Sequence, residues 1–118
     1  MLIPVDPARF EPILTGKCNP LYKWEEVEGR RTRTEVQDIS TEGLPLWEVE
    51  MLVEEEYFGK QITSTEWVQV PARIQPVIAR YSPGNFQGLA VAVYPSKNGV
   101  GKRWVAEGLG DDSAFFEG

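Results

Sequence analysis

The chain has no histidine among its 118 residues. That removes the commonest general base, the usual partner of a nucleophilic Ser or Cys, and the commonest nitrogen ligand for metals. A single cysteine, Cys18, excludes an intrachain disulfide and any structural zinc site of the Cys and His kind. No apolar run approaches the roughly 20 residues that cross a bilayer as a helix. The N-terminus, Met1-Leu2-Ile3-Pro4-Val5-Asp6, lacks the basic and long apolar regions of a secretory signal. A cytoplasmic protein without membrane contact is therefore expected. Helix-forming windows are also scarce, because prolines and β-branched residues interrupt every candidate longer than about two turns. A short helix fits only in 54–59 or 72–81. Neither a calcium-loop spacing nor a phosphate loop is present. In Ser96-Lys97-Asn98-Gly99-Val100-Gly101-Lys102, serine stands where a phosphate loop needs its first glycine, and Arg103 replaces the final Ser or Thr.

What is present is strand periodicity. Gly43-Leu44-Pro45 is a turn signal feeding Leu46–Val53, in which Trp47, Val49, Met51 and Val53 alternate with Leu46, Glu48, Glu50 and Leu52. Successive side chains on a strand point to opposite faces, so this is a half-buried strand with Trp47 in the core. Ile62–Val70, Phe86–Tyr94 and Lys102–Leu109 are further strands. They are separated by turns at Gly59, at Ser82-Pro83-Gly84-Asn85 and at Lys97-Asn98-Gly99. Leu21–Val27 alternates weakly, Arg30–Thr34 suits an exposed strand or a loop, and residues 1–20 are rich in proline. Thirteen aromatics suffice to fill a small core. One all-β domain over residues 1–110 is expected, a small five-stranded OB-fold-like barrel, with a small β-sandwich as the alternative. Residues 111–118 form a separate acidic, aromatic tail.

Net charge is −6 but uneven, with a balance of −7 over residues 1–56, +4 over 57–110 and −3 over 111–118. Overall acidity argues against indiscriminate DNA binding, whereas the basic second half permits a local nucleic-acid surface. Barrels that bind single strands use aromatic rings as stacking platforms beside cationic side chains. Trp67 lies among Thr63, Thr65 and Gln69, and Trp104 follows Lys102-Arg103. With Tyr94 these are the candidate stacking residues. Lys60, Arg73, Lys97, Lys102 and Arg103 are the candidate phosphate contacts. The competing account is that the tryptophans are structural. Arg30-Arg31-Thr32-Arg33 is the densest basic cluster, and a solvated loop offsetting Glu25, Glu26 and Glu28 accounts for it. Glu54-Glu55-Glu56, with Glu48 and Glu50, reads as hydrated surface. No catalytic residue, metal or cofactor is expected.

Asp111-Asp112-Ser113-Ala114-Phe115-Phe116-Glu117-Gly118 resembles in chemistry the acidic tail, tipped by Pro-Phe, with which bacterial single-stranded-DNA-binding proteins dock on partners. Ala114 stands where the proline would. On this resemblance Asp111, Asp112, Phe115 and Phe116 are candidate partner contacts; the alternative is that the two phenylalanines pack back onto the barrel. Thr41-Glu42-Gly43-Leu44-Pro45-Leu46-Trp47-Glu48-Val49-Glu50-Met51 resembles a Thr-Gly-Leu-Pro-Leu-Trp-x-Val-Glu-Val segment. That segment belongs to the plasmid replication, integration and excision activators of actinobacterial mobile elements. Trp67–Val77, Phe86–Tyr94 and Ala106–Leu109 echo later segments of the same family in order. Glu66–Gln69 is less basic than the corresponding strand there. The resemblance implies a non-enzymatic accessory that binds single-stranded DNA and assists replication of a plasmid, integrative element or phage. Its tail would recruit a replication protein. The alternative is an adaptor that binds a replication initiator without touching DNA. Exposed edge strands would suit a homo-oligomer.

Overall fold

A computed structural model of the chain describes residues 2–6, 12–97, 99–109 and 115–117. Every regular element among them is a strand: β1 (Leu2–Pro4), β2 (Ile13–Pro20), β3 (Tyr22–Val27), β4 (Arg30–Gln37), β5 (Leu46–Tyr57), β6 (Lys60–Pro71), β7 (Pro76–Ile78), β8 (Ser82–Pro83), β9 (Phe86–Gln87), β10 (Ala90–Ser96), β11 (Gly99–Val105), β12 (Gly108–Leu109) and β13 (Phe115–Glu117). The expected all-β class holds. Neither window left for a short helix is helical: residues 54–57 extend β5, and 76–78 form β7. Among the described residues no helix is long and apolar enough to cross a membrane.

The main sheet has seven strands in the order β1-β10-β11-β6-β5-β2-β8 and curls into a half-barrel. Among the described residues it is open, because β1 and β8 end the order without pairing to each other. Its backbone is the β5–β6 hairpin, paired from Leu46↔Pro71 to Tyr57↔Lys60. Phe58 and Gly59 form the tip with φ of 51° and 77°. Positive φ at both central residues is the turn whose twist matches the strands it joins, and glycine adopts it without steric cost. Because β5 and β6 stay paired as far as Tyr57↔Lys60, the connection between them is only these two residues. β6 and β11 run parallel but pair only at Trp104↔Val68 and Val105↔Gln69. Upstream of these contacts β6 pairs with β5 alone and β11 with β10 alone.

The inner face of the sheet carries the core. Leu14, Val49, Met51, Val53, Val68 and Val70 are fully buried, with Trp47, Ile78 and Phe86 packed beside them. Ile78 and Phe86 come from the segment between β6 and β10, so that crossover closes the inner face. Trp47 is core as expected, and its Nε1 donates to the Ala72 carbonyl at 3.0 Å. The strand expected over Phe86–Tyr94 is broken at Gly88, where φ is 61°, into β9 and β10.

β3 and β4 form a second hairpin inserted between β2 and β5. Its turn, Glu28-Gly29, has φ of 53° and 78°. Its root is pinned to the start of β5: Leu21 N donates to Leu46 O, Leu46 N to Asp38 O, and Gln37 Nε2 to Leu46 O at 2.8 Å.

Candidate functional site

The β3–β4 hairpin faces the outer side of the main sheet, and together they line an open cavity of about 790 Å³. From the hairpin come Tyr22, Lys23, Trp24 and Arg31, with Leu21 and Asp38 at its root. From the sheet come Glu48 on β5, Glu66, Trp67 and Gln69 on β6, and Lys102, Arg103 and Trp104 on β11. Sequence separation is large, but the topology brings these residues together at the place where β6 and β11 part.

Alternation accounts for Glu48, Trp67, Gln69 and Arg103, whereas Glu66, level with Met51, and Trp104, level with Val68, come with Lys102 from the core-facing side of the sheet. On β5 and β6, Glu48 and Glu50 share the face opposite the core with Trp67 and Gln69, in the register Glu48↔Gln69 and Glu50↔Trp67. Val105 is level with Gln69 on β11, so Arg103, two residues earlier, shares that face. Tyr94 is level with Gly101, and its ring lies so close that a Cβ on Gly101 would sit 2.5 Å from it. The guanidinium of Arg103 lies over the Tyr94 ring at 5.8 Å. Along the hairpin, Tyr22, Trp24, Arg31 and Arg33 repeat the device: Arg31 is 5.6 Å from the Trp24 ring centre, and Arg33 is 5.4 Å from that of Tyr22. Such contacts hold a flexible guanidinium in one place.

Of the expected stacking residues, Trp67 and Trp104 both line the groove, while Tyr94 is reached through Arg103. Trp67 is half-buried. Trp104 is half-buried too, and it also packs against the core. Of the expected phosphate contacts, Lys102 and Arg103 line the cavity. Lys97 is exposed at the β10–β11 turn. Lys60 is not brought in: it sits at the β5–β6 tip, seven residues from Trp67, which is about 23 Å along a strand. Arg73 is exposed on the connection after β6 and does not line the groove. Asp111 and Asp112 lie outside the described residues. Phe115 and Phe116 belong to β13, which pairs antiparallel with β7 in the register Phe115↔Ile78, Phe116↔Val77.

Sequence reasoning missed the hairpin's contribution. Arg30–Arg33 is not a solvated loop: it lies on β4, with Glu26 opposite Arg31 and Trp24 opposite Arg33. The available signal was Glu28-Gly29 between two alternating runs.

The groove also holds acid. Burial pushes the Glu48 carboxyl above its usual range, partly offset by the Arg33 guanidinium. Glu50 accepts a hydrogen bond from the Thr15 hydroxyl at 2.9 Å. Burial first, and Glu48 second, push the Cys18 thiol up to about 11, so Cys18 is a half-buried thiol that stays protonated at neutral pH. Among the described residues no group of three His, Cys, Asp or Glu side chains is placed to hold a metal ion. The chain matches no protein-family model, no curated protein and no solved structure.

Proposed function

We propose that this chain binds single-stranded DNA in the groove between the β3–β4 hairpin and the main sheet, as a non-enzymatic accessory in replication of a plasmid, integrative element or phage. The observation that carries the proposal is one open cavity lined by Trp24, Trp67, Lys23, Arg31 and Arg103 on the outer side of the sheet, which Trp104 and Lys102 line from the core-facing side of β11 where it parts from β6. Every base offers a π-face, so stacking on indoles is tolerant of sequence, and the cations meet the backbone.

Topology supports the same proposal. Taken as strands one to five of an OB-like barrel, β2, β5, β6, β10 and β11 stand in the order one-two-three-five-four, with three and five parallel. That architecture binds oligonucleotides on the face of strands two and three and on the loops joining one to two and four to five. Here the first loop is the β3–β4 hairpin and the second is the turn at Lys97. The ordered resemblance over residues 41–109 to the replication, integration and excision activators supplies the replication role. Recruitment of a replication protein by the C-terminal segment would require β13 to leave β7.

The test is titration of the full chain with an oligothymidylate. Tryptophan emission should quench, and affinity should fall with salt at a log–log slope no steeper than about −3, from four groove cations at about 0.7 each. Absence of both quenching and a mobility shift at low salt would overturn the proposal. Capture of a basic protein by a chain that binds no oligonucleotide would favour the adaptor instead.

A further inference from the structure

The cations and rings account for sequence-tolerant binding; the polar pair beside Trp67 remains. Glu48 and Gln69 are cross-strand neighbours, both half-buried, both lining the groove. Neither side chain makes a hydrogen bond among the described residues. Glu50, on the same face, is instead engaged by Thr15. Residues opposite or diagonal on one face of a hairpin stand about 5–8 Å apart, so a purine stacked on the Trp67 indole is wide enough to reach both groups.

We propose that the groove selects guanine, the Glu48 carboxylate accepting from N1–H and the N2 amino group of a base stacked on Trp67 while the Gln69 amide donates to O6. This rests on the binding proposed above and names the base preferred there. A carboxylate accepts only, so it needs adjacent donors, and guanine alone presents two side by side on its unpaired edge. Cytosine offers one amino donor. Thymine offers a single N–H flanked by two carbonyls, which repel the carboxylate. Glu48 faces the Arg33 guanidinium of the hairpin, and in a groove that met only phosphates its charge would oppose the backbone.

The experiment compares labelled oligothymidylate with the same length carrying isolated guanines, and with hypoxanthine in their place, which lacks the N2 amino group. Guanine should bind about tenfold tighter than thymine, within the range of a bidentate base contact, and hypoxanthine should fall between. Glu48→Gln should tighten oligothymidylate and bring the guanine-to-thymine ratio near one; Gln69→Ala should lower that ratio less. Equal affinities for the guanine and thymine oligonucleotides, or a ratio unchanged in Glu48→Gln, would overturn the guanine proposal while leaving single-strand binding standing. Failure to bind any oligonucleotide at low salt would overturn both.

Discussion

Trp24→Ala separates a binding role from a folding role more cleanly than any other single change. Trp24 is 55% exposed, on a two-stranded hairpin, with Arg31 over its ring at 5.6 Å. A fully buried tryptophan cut to alanine costs about 3–5 kcal/mol. Trp24 is less than half buried and leaves no enclosed cavity, so lost packing and the exposed cation–π contact together cost about 1 kcal/mol. If Trp24 stacks a base, the variant loses about 1–3 kcal/mol of binding, a rise in Kd of about five- to 150-fold. Fluorescence anisotropy with a labelled oligothymidylate measures the second quantity, and the urea midpoint measures the first. A Kd within twofold of the parent for both Trp24→Ala and Trp67→Ala, with folding intact, would refute base stacking in this groove.

Trp47→Ala should behave in the opposite sense, losing about 3–5 kcal/mol of stability at the urea midpoint because Trp47 is only 8% exposed and supplies the donor to the Ala72 carbonyl. Cys18 should react with a thiol reagent at pH 8 about a hundredfold more slowly than a thiol at the ordinary 9.0, since its thiolate forms only near 11; a normal rate in the folded protein would contradict its burial. Glu48 has a raised pKa through desolvation, so the folded state holds its proton more tightly than the unfolded chain. Stability is therefore lost as pH rises through that carboxylate's range, and Glu48→Gln should gain stability over the parent at pH 7 but not at pH 3, read as the difference in urea midpoint.

Much of the fold was legible because burial on one face imposes a period of two, which β5 and β6 follow at Trp47, Val49, Met51, Val53, Val68 and Val70, although Leu46 on the other face is also buried. The ends of that hairpin were harder to place: Glu54, Glu55 and Glu56 carry no hydrophobic alternation, yet the twelve-residue strands stay paired in register to the tip. Trp67 and Lys102-Arg103 could be picked out because a tryptophan among threonines, or beside cations, breaks the expected pattern of a core. The hairpin half of the site could not be picked out the same way. Tyr22, Trp24, Arg31 and Arg33 lie outside the main sheet, so no core face marks them, and glutamates in between conceal the alternation. Their meaning comes from the register of β3 against β4, which composition does not carry.

A chain of net charge −6 binding a polyanion needs a physical account. At physiological ionic strength screening acts over about 8 Å. Glu56, at the far end of β5, is six residues from Glu50, about 20 Å along the strand from the level of Trp67, and its charge scarcely reaches the groove. What matters locally is Lys23, Arg31, Lys102 and Arg103 against Asp38, Glu48 and Glu66, a surplus of one positive charge. That surplus is too small for phosphate attraction alone to hold a strand, so the indoles must supply most of the affinity at about 1–3 kcal/mol per stacked base. Salt should consequently weaken binding only modestly. With a slope no steeper than about −3, the loss between 50 and 200 mM salt is at most about sixtyfold. A steeper fall would mean that cations outside this groove, such as Lys60 or Arg73, carry the backbone, and that the rings between the hairpin and the sheet do not.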